Sequence, residues 1–233
     1  YSQYAKVDSK FLVKKPKELT LKQAMIMGTA GFTALQSAFV TKLTREELLL
    51  GEKVNDVIVS GASGGVGSIA IMILKKLGCN VTAVTGKNNN IEYLKSLGAK
   101  NVLNTSELTK DARPLDKGLW DGAVDTVGGK VLENIISQTK DSGIVASCGN
   151  AADIKLNTTV MPFIIRGVKL WGINSVTVSN VRRKFLWSEV SKLVDFELLN
   201  KSIKEISLEE VNDVYSKMLK GQTSGRYIIN LSK

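Results

Sequence analysis

The residues best placed to do chemistry in this sequence are glycines. Gly61-Ala-Ser-Gly64-Gly65-Val-Gly67 sets four of them within seven positions, a spacing that lets bare backbone N–H groups close on an anion. Before the run stands Val57-Ile-Val59, apolar and of strand length. After it, apolar residues recur at Val66, Ile69, Ala70, Ile73, Leu74 and Leu77, the repeat of one helix face. Strand, glycine turn and helix start in that order suit the pyrophosphate of a dinucleotide. The glycines permit a tight turn and close approach, and the helix offers unpaired N–H groups and the positive end of its dipole. Ser63, Gly64, Gly65, Val66 and Gly67 are the candidate pyrophosphate contacts. The competing reading is a turn that serves packing alone.

A second run follows the next apolar strand, Val81–Val84. It reads Thr85-Gly86-Lys87-Asn88-Asn89-Asn90, with no acid before Glu92. A unit that binds NAD places Asp or Glu near this point to hold the ribose 2′-hydroxyl. A carboxylate would repel a 2′-phosphate, whereas Thr85, the Gly86 amide and Lys87 would bind one by charge-assisted hydrogen bonds. The expected cofactor is therefore NADP(H). The alternative for Lys87 is a solvated loop lysine.

Other chemistries are excluded by residue type. The chain has no histidine, so neither a Cys/His zinc site nor a Ser-His-Asp or Cys-His nucleophile can be assembled from it. Cys79 and Cys148 stand far apart, outside any paired spacing, which fits a reducing cytoplasm and a packing role. Tyr93, Tyr215 and Tyr227 lack a lysine four residues on, so the Tyr-x-x-x-Lys pair of short-chain dehydrogenases is missing. The net charge is +10, but the lysines are scattered rather than interleaved with aromatics. That pattern predicts neither a nucleic-acid partner nor a membrane one. No apolar run is read as approaching a membrane span.

The elements that must position these residues alternate. After the first strand and helix, the latter closed by Gly78, come the strand Val81–Val84 and a helix Ile91–Leu97. Strands at Val102-Leu103, Gly122–Asp125, Gly143–Cys148 and Leu170–Ile173 follow, with a helix at Val131–Gln138. Repeated β-α-β with short connections predicts an α/β Rossmann fold: a doubly wound parallel sheet with helices on both faces. Upstream, Thr20-Leu-Lys-Gln23 and Thr44-Arg-Glu-Glu47 read as capping boxes, with a second possible start at Gly28-Thr-Ala-Gly-Phe-Thr33. Downstream, helices at Val181–Val194 and after Ser207-Leu-Glu-Glu210 precede a strand at Arg226–Leu231. This tail reads as part of a second lobe.

The sequence also resembles the medium-chain dehydrogenase/reductase superfamily, in its zinc-free quinone oxidoreductase branch and most closely the NADPH-dependent acrylyl-coenzyme A reductase group. The resemblance rests on Met27-Gly-Thr-Ala-Gly-Phe-Thr-Ala34, Ser60–Ser68, Thr85-Gly86-Lys87, Glu92–Ala99, Asp125-Thr-Val-Gly-Gly129 and Thr158-Thr-Val-Met-Pro-Phe-Ile164. It implies Asn150, Ile164 and Ser175 along the nicotinamide, Thr29 near its end, and Arg226 on a phosphate or the substrate. It implies a GroES-like catalytic lobe, with residues 1–22 closing it, 23–176 forming the NADP domain and 177–233 returning to it. Most of that lobe is expected to lie outside this chain, leaving the substrate pocket incomplete and the activity of the fragment alone in question. The implied reaction is zinc-independent hydride transfer from NADPH to the β-carbon of an α,β-unsaturated thioester. Backbone N–H or hydroxyl donors would stabilise the enolate oxygen, and no proton donor is assigned. Asp125 is expected to orient its own loop. Reduction of quinones or enones is the alternative, and a non-catalytic nucleotide- or RNA-binding protein the alternative of another class. Relatives of this kind imply a homodimer in the cytoplasm.

Overall fold

The computed structural model describes residues 1–231. Helix α1 (Leu21–Phe39) opens with the expected reciprocal cap: the Gln23 N–H donates to the Thr20 hydroxyl at 3.1 Å and the Thr20 N–H to the Gln23 side-chain oxygen at 2.8 Å. At Gly28 the backbone leaves helical space (φ 45°, ψ −152°), so a fresh helical segment begins at Thr29, as the glycine-flanked sequence suggested. From Val40 to Thr44 the helix widens into a π-type turn and continues into α2 (Arg45–Leu48).

The capping box expected at Thr44 does not form. Thr44 is already helical (φ −65°, ψ −38°) and caps nothing; a residue inside a helix lacks the extended backbone a cap requires. Glu46 instead pairs with Lys42 and accepts the Val54 N–H at 2.9 Å. A second correction concerns apolar length. The helical run Leu21–Leu48 is, by length and composition, long and apolar enough to cross a membrane, but 72% of its apolar window is buried inside the protein. Its hydrophobicity is that of a core helix.

Strand β1 (Asp56–Val59) then leads through α3 (Gly65–Lys76), β2 (Asn80–Thr85), α4 (Ile91–Ser96), β3 (Ala99–Asn104), β4 (Trp120–Asp125), α5 (Gly129–Ser137), β5 (Thr139–Ser147) and α6 (Met161–Arg166) to β6 (Lys169–Gly172). Among the described residues these strands form one parallel sheet in the order β3-β2-β1-β4-β5-β6. The inner strands β1, β2 and β4 and the second half of β5 are buried along continuous runs, because both faces of the sheet are covered there. Helices α1 and α3 bury Ile26, Leu35, Ile69 and Ile73 against one face; α5 buries Val131, Ile135 and Ile136 against the other, with Ile58, Ala123 and Val145. The order reverses between β1 and β4, which opens a crevice at their carboxyl ends.

The tail comprises α7 (Asn180–Leu193), α8 (Phe196–Asn200), β7 (Ile203–Ile206), α9 (Val211–Leu219) and β8 (Arg226–Ile229). Leu186 and Val190 of α7 join the core that α1 and α3 build. β7 and β8 pair in parallel as a separate two-stranded sheet. Four residues, Ile-Lys-Glu-Ile, make β7 a strand only through that distant partner, which sequence reading missed. The expected cap at Ser207 forms by half. The Ser207 N–H donates to the Glu210 carboxylate at 2.8 Å, but the helix starts later, at Val211, and Glu210 caps nothing.

Candidate functional site

The glycine turn spans the crevice at the end of β1. Gly61 has φ +56°, and a Cβ there would stand 2.1 Å from the Thr126 hydroxyl; a Cβ on Gly67 would stand 2.6 Å from the Gly61 carbonyl and 2.7 Å from the Ala62 Cα. Gly61 thus lets the turn press onto Thr126 after β4, and Gly67 lets α3 press onto the turn. Gly64 and Gly65 differ: the nearest neighbours of a Cβ would be the Gly61 carbonyl at 3.2 Å and the Ala30 Cβ at 3.3 Å. Gly64 occupies the helix N-cap and supplies no side-chain acceptor, so the first-turn N–H groups of α3 are left for an incoming acceptor. The cradle fits a pyrophosphate.

Below the turn a buried carboxylate fixes its shape. Asp125 is fully buried and accepts from the Ser60 hydroxyl at 2.6 Å, the Gly128 N–H at 3.0 Å and the Val127 N–H at 3.3 Å. The Ser60 oxygen accepts in turn from the Thr126 N–H at 3.0 Å, and the Thr126 hydroxyl donates to the Ser60 carbonyl at 3.1 Å. Burial raises the Asp125 pKa, opposed by the bonds from Ser60, Gly128 and Val127. Every contact is to its own loop or to the end of β1. Asp125 orients the crevice floor, as its sequence block suggested.

The end of β2 stands beside this turn. Thr85 is buried; its hydroxyl lies 3.5 Å from that of Ser63 and accepts the Lys87 N–H at 3.2 Å. Gly86 is exposed, with Thr105 of the neighbouring strand end 3.7 Å from where its Cβ would stand. Lys87 reaches back and donates to the Thr223 carbonyl at 2.5 Å. The C-terminal strap thus enters the site, with the Gly225 N–H donating to the Ser63 carbonyl at 3.3 Å and Arg226 coming within 3.5 Å of the Gly65 carbonyl. Burial lowers the Arg226 pKa, an effect opposed by Tyr93.

Ser63, Gly64, Gly65, Val66, Gly67, Thr85, Gly86, Lys87 and Arg226 therefore converge at one end of the sheet. Thr29 starts the helical segment whose Ala30 touches the Gly65 position. Asn150 follows β5, with its Cα 3.3 Å from where a Gly128 Cβ would stand, and Ser175 follows β6. Ile164 is placed differently, on α6 and 71% exposed. The strap residues Thr223 and Gly225 were not anticipated, because nothing local in Gln-Thr-Ser-Gly announces a partner more than a hundred residues away.

A family model described as zinc-binding dehydrogenase matches residues 65–195. An Escherichia coli protein named "Probable acrylyl-CoA reductase AcuI" is 40% identical over 231 residues, 99% of this chain and 70% of its own length. "Putative quinone oxidoreductase YhfP" of Bacillus subtilis is 40% identical over 232 residues, 99% of this chain and 69% of its own; its structure with NAD bound superposes with a TM-score of 0.88, covering 97% of this chain and 68% of that one. The yhdH oxidoreductase of Salmonella enterica, solved with NADP, superposes with a TM-score of 0.91 at 40% identity, covering 97% of this chain and 68% of that one. The metal in the family description has no donor set here. Histidine is absent, and among the described residues no three of His, Cys, Asp or Glu cluster to hold an ion. By the match to its central domain and to relatives along its whole length, the chain belongs to the zinc-binding dehydrogenase family of the medium-chain dehydrogenase/reductase superfamily.

Proposed function

We propose that this chain binds NADP(H) at the β1–α3 turn and serves the zinc-independent reduction of an activated C=C bond, with acrylyl-CoA as the leading substrate. One observation carries the cofactor reading: Lys87 stands at an acid-free strand end beside a glycine cradle. NADPH, when bound, supplies the hydride. The chain's own part is binding and orientation. The α3 amides and Gly64–Gly65 receive the pyrophosphate, Thr85, Gly86 and Lys87 the 2′-phosphate, and Arg226 adds charge over the turn. Thr29, Asn150, Ser175 and Ile164 are proposed along the nicotinamide side.

The relatives' names support a thioester substrate first and a quinone or enone second, since both accept hydride by conjugate addition. Initial rates with acrylyl-CoA against a quinone panel decide between them; absence of thioester turnover alongside quinone turnover reverses the order. Equilibrium titration tests the cofactor. Lys87→Ala is expected to weaken NADPH by roughly ten- to a hundredfold, the range of a charge-assisted hydrogen bond, and to leave NADH nearly unchanged. Equal loss for both would refute the 2′-phosphate assignment.

Three coarser readings accompany this one. The division at residues 22/23 and 176/177 into an NADP domain and two stretches of a catalytic lobe is supported by the exposed apolar side chains Phe11 and Leu12 and by α9, which has no buried residue, while α7 packs Leu186 and Val190 into the core of α1 and α3 and α1 itself begins at Leu21. A homodimer is supported by β6, an edge strand with Leu170 and Trp171 exposed. A cytoplasmic setting is supported by two free thiols, Cys79 and Cys148.

A further inference from the structure

Lys87 belongs to a closed circuit of contacts. Its ammonium donates to the Thr223 carbonyl at 2.5 Å, and its own N–H donates to the Thr85 hydroxyl at 3.2 Å. That hydroxyl lies 3.5 Å from the Ser63 hydroxyl, and the Ser63 carbonyl accepts the Gly225 N–H at 3.3 Å. Ser224 joins Gly225 back to Thr223. The ring thus runs through three separate segments, and the 2′-phosphate loop and the phosphate turn are both tied to residues 223–225.

The strap is itself firmly located. Gly225 has φ +69°, and a Cβ on it would stand 2.3 Å from the Ser202 carbonyl. The Arg226 N–H donates to that same carbonyl at 3.2 Å, where β8 pairs with β7. A lysine side chain left free has most of its rotamers to lose when it meets a ligand. One already anchored presents a preorganised charge, and of its three N–H donors the Thr223 carbonyl takes one. Two remain for phosphate oxygens.

We propose that the strap Gly221–Arg226 is the specificity-determining segment for the cofactor, its Thr223 carbonyl holding the Lys87 ammonium where the 2′-phosphate is received. Thr223 is then a positioning residue, acting through Lys87. The inference rests on the NADP(H) reading above and deepens it. Preference for the phosphorylated cofactor is set by a segment outside the β-α-β unit that binds the rest of the molecule. Binding is reciprocal: a 2′-phosphate bridged to Lys87 restrains the strap, and a bare ribose does not.

The test measures dissociation constants for NADPH and NADH by nicotinamide fluorescence on the whole chain. Lys87→Met is expected to lower the NADPH preference by about tenfold or more. Gly225→Ala, which drives the strap off Ser202, is expected to lower the same ratio by a comparable factor. Combined with Lys87→Met it should change the ratio no further, because both act on one interaction. Loss of both cofactors in equal proportion, or a fully additive double variant, overturns the proposal. No preference for NADPH in the unsubstituted chain would instead overturn the cofactor reading beneath it. Should Gly225→Ala fail to fold, hydrogen exchange on the unsubstituted chain decides. At matched occupancy, amides 222–229 are expected to exchange more slowly with NADP than with NAD bound; equal protection overturns the proposal.

Discussion

Single side chains here separate positioning from chemistry. Asp125 defines the loop of the crevice floor through the Ser60 hydroxyl and two N–H groups. Asp125→Asn keeps one oxygen acceptor and loses the other, setting an amide NH₂ among donors. Urea denaturation is expected to show a loss of about 1–3 kcal/mol, the cost of an unsatisfied buried group, with cofactor affinity falling as the loop relaxes. Full stability with turnover abolished would mean the carboxyl handles a proton. The cysteines give a second prediction at this scale. Burial pushes both Cys79 and Cys148 up to about 11, from an ordinary value of 9.0. The unfolded chain therefore loses these protons first. Their contribution to stability is fully present below pH 9 and lost as pH rises towards 11. Denaturant midpoints should fall through that window, and Cys79→Ala should flatten the fall. At pH 8 both thiols should react slowly with a disulfide reagent until the chain unfolds.

At the scale of elements, the β-α-β unit was legible because its signals are local. Hydrophobic period, glycine spacing and the Thr20–Gln23 cap each act within a few residues, and each appears where the sequence placed it. Thr44-Arg-Glu-Glu47 carries the same cap signal and fails, since the preceding helix never ends and Glu46 finds Lys42 and Val54. β7 and the strap were illegible for the opposite reason: they exist through partners far along the chain, β8 for one and Ser63 and Lys87 for the other. Close approach at the turn gives a direct test. Gly67→Ala forces a Cβ to within 2.6 Å of the Gly61 carbonyl, and is expected to cost about 1–3 kcal/mol by overpacking. It should weaken NADPH and NADH alike, because both share the pyrophosphate. Gly78→Ala is the contrast. Its φ of +88° is strained for alanine but nothing lies within 4 Å, so about 1 kcal/mol is lost and cofactor affinity is retained. Equal behaviour of the two variants in titration would dissociate the turn from the cofactor.

At the scale of the whole molecule, the six-stranded sheet ends in β3 on one side and β6 on the other, and the β6 edge carries exposed apolar side chains. β6 pairs with β5 on one side only, and along it Leu170 and Trp171 are 38% and 41% exposed. Beside it α6 carries Ile164 and Ile165, 71% and 61% exposed. A free edge flanked by apolar side chains is a template for further pairing, and proteins protect such edges with charge, bulges or a covering partner. Lys169 is the charge present on this strand, at its start. A second copy related by a two-fold axis would cover both edges at once, since an isologous contact presents the same strand to itself. Antiparallel β6–β6 pairing would extend the two six-stranded sheets into one and bury both Trp171 side chains. The chain is accordingly expected to elute as a dimer in light-scattering chromatography. Trp171→Lys, which sets like charges close to one another across that junction, should shift it to monomer without changing far-ultraviolet circular dichroism. A dimer that survives this substitution would place the interface elsewhere. A chain that is monomeric without it would leave the β6 edge uncovered and refute the pairing.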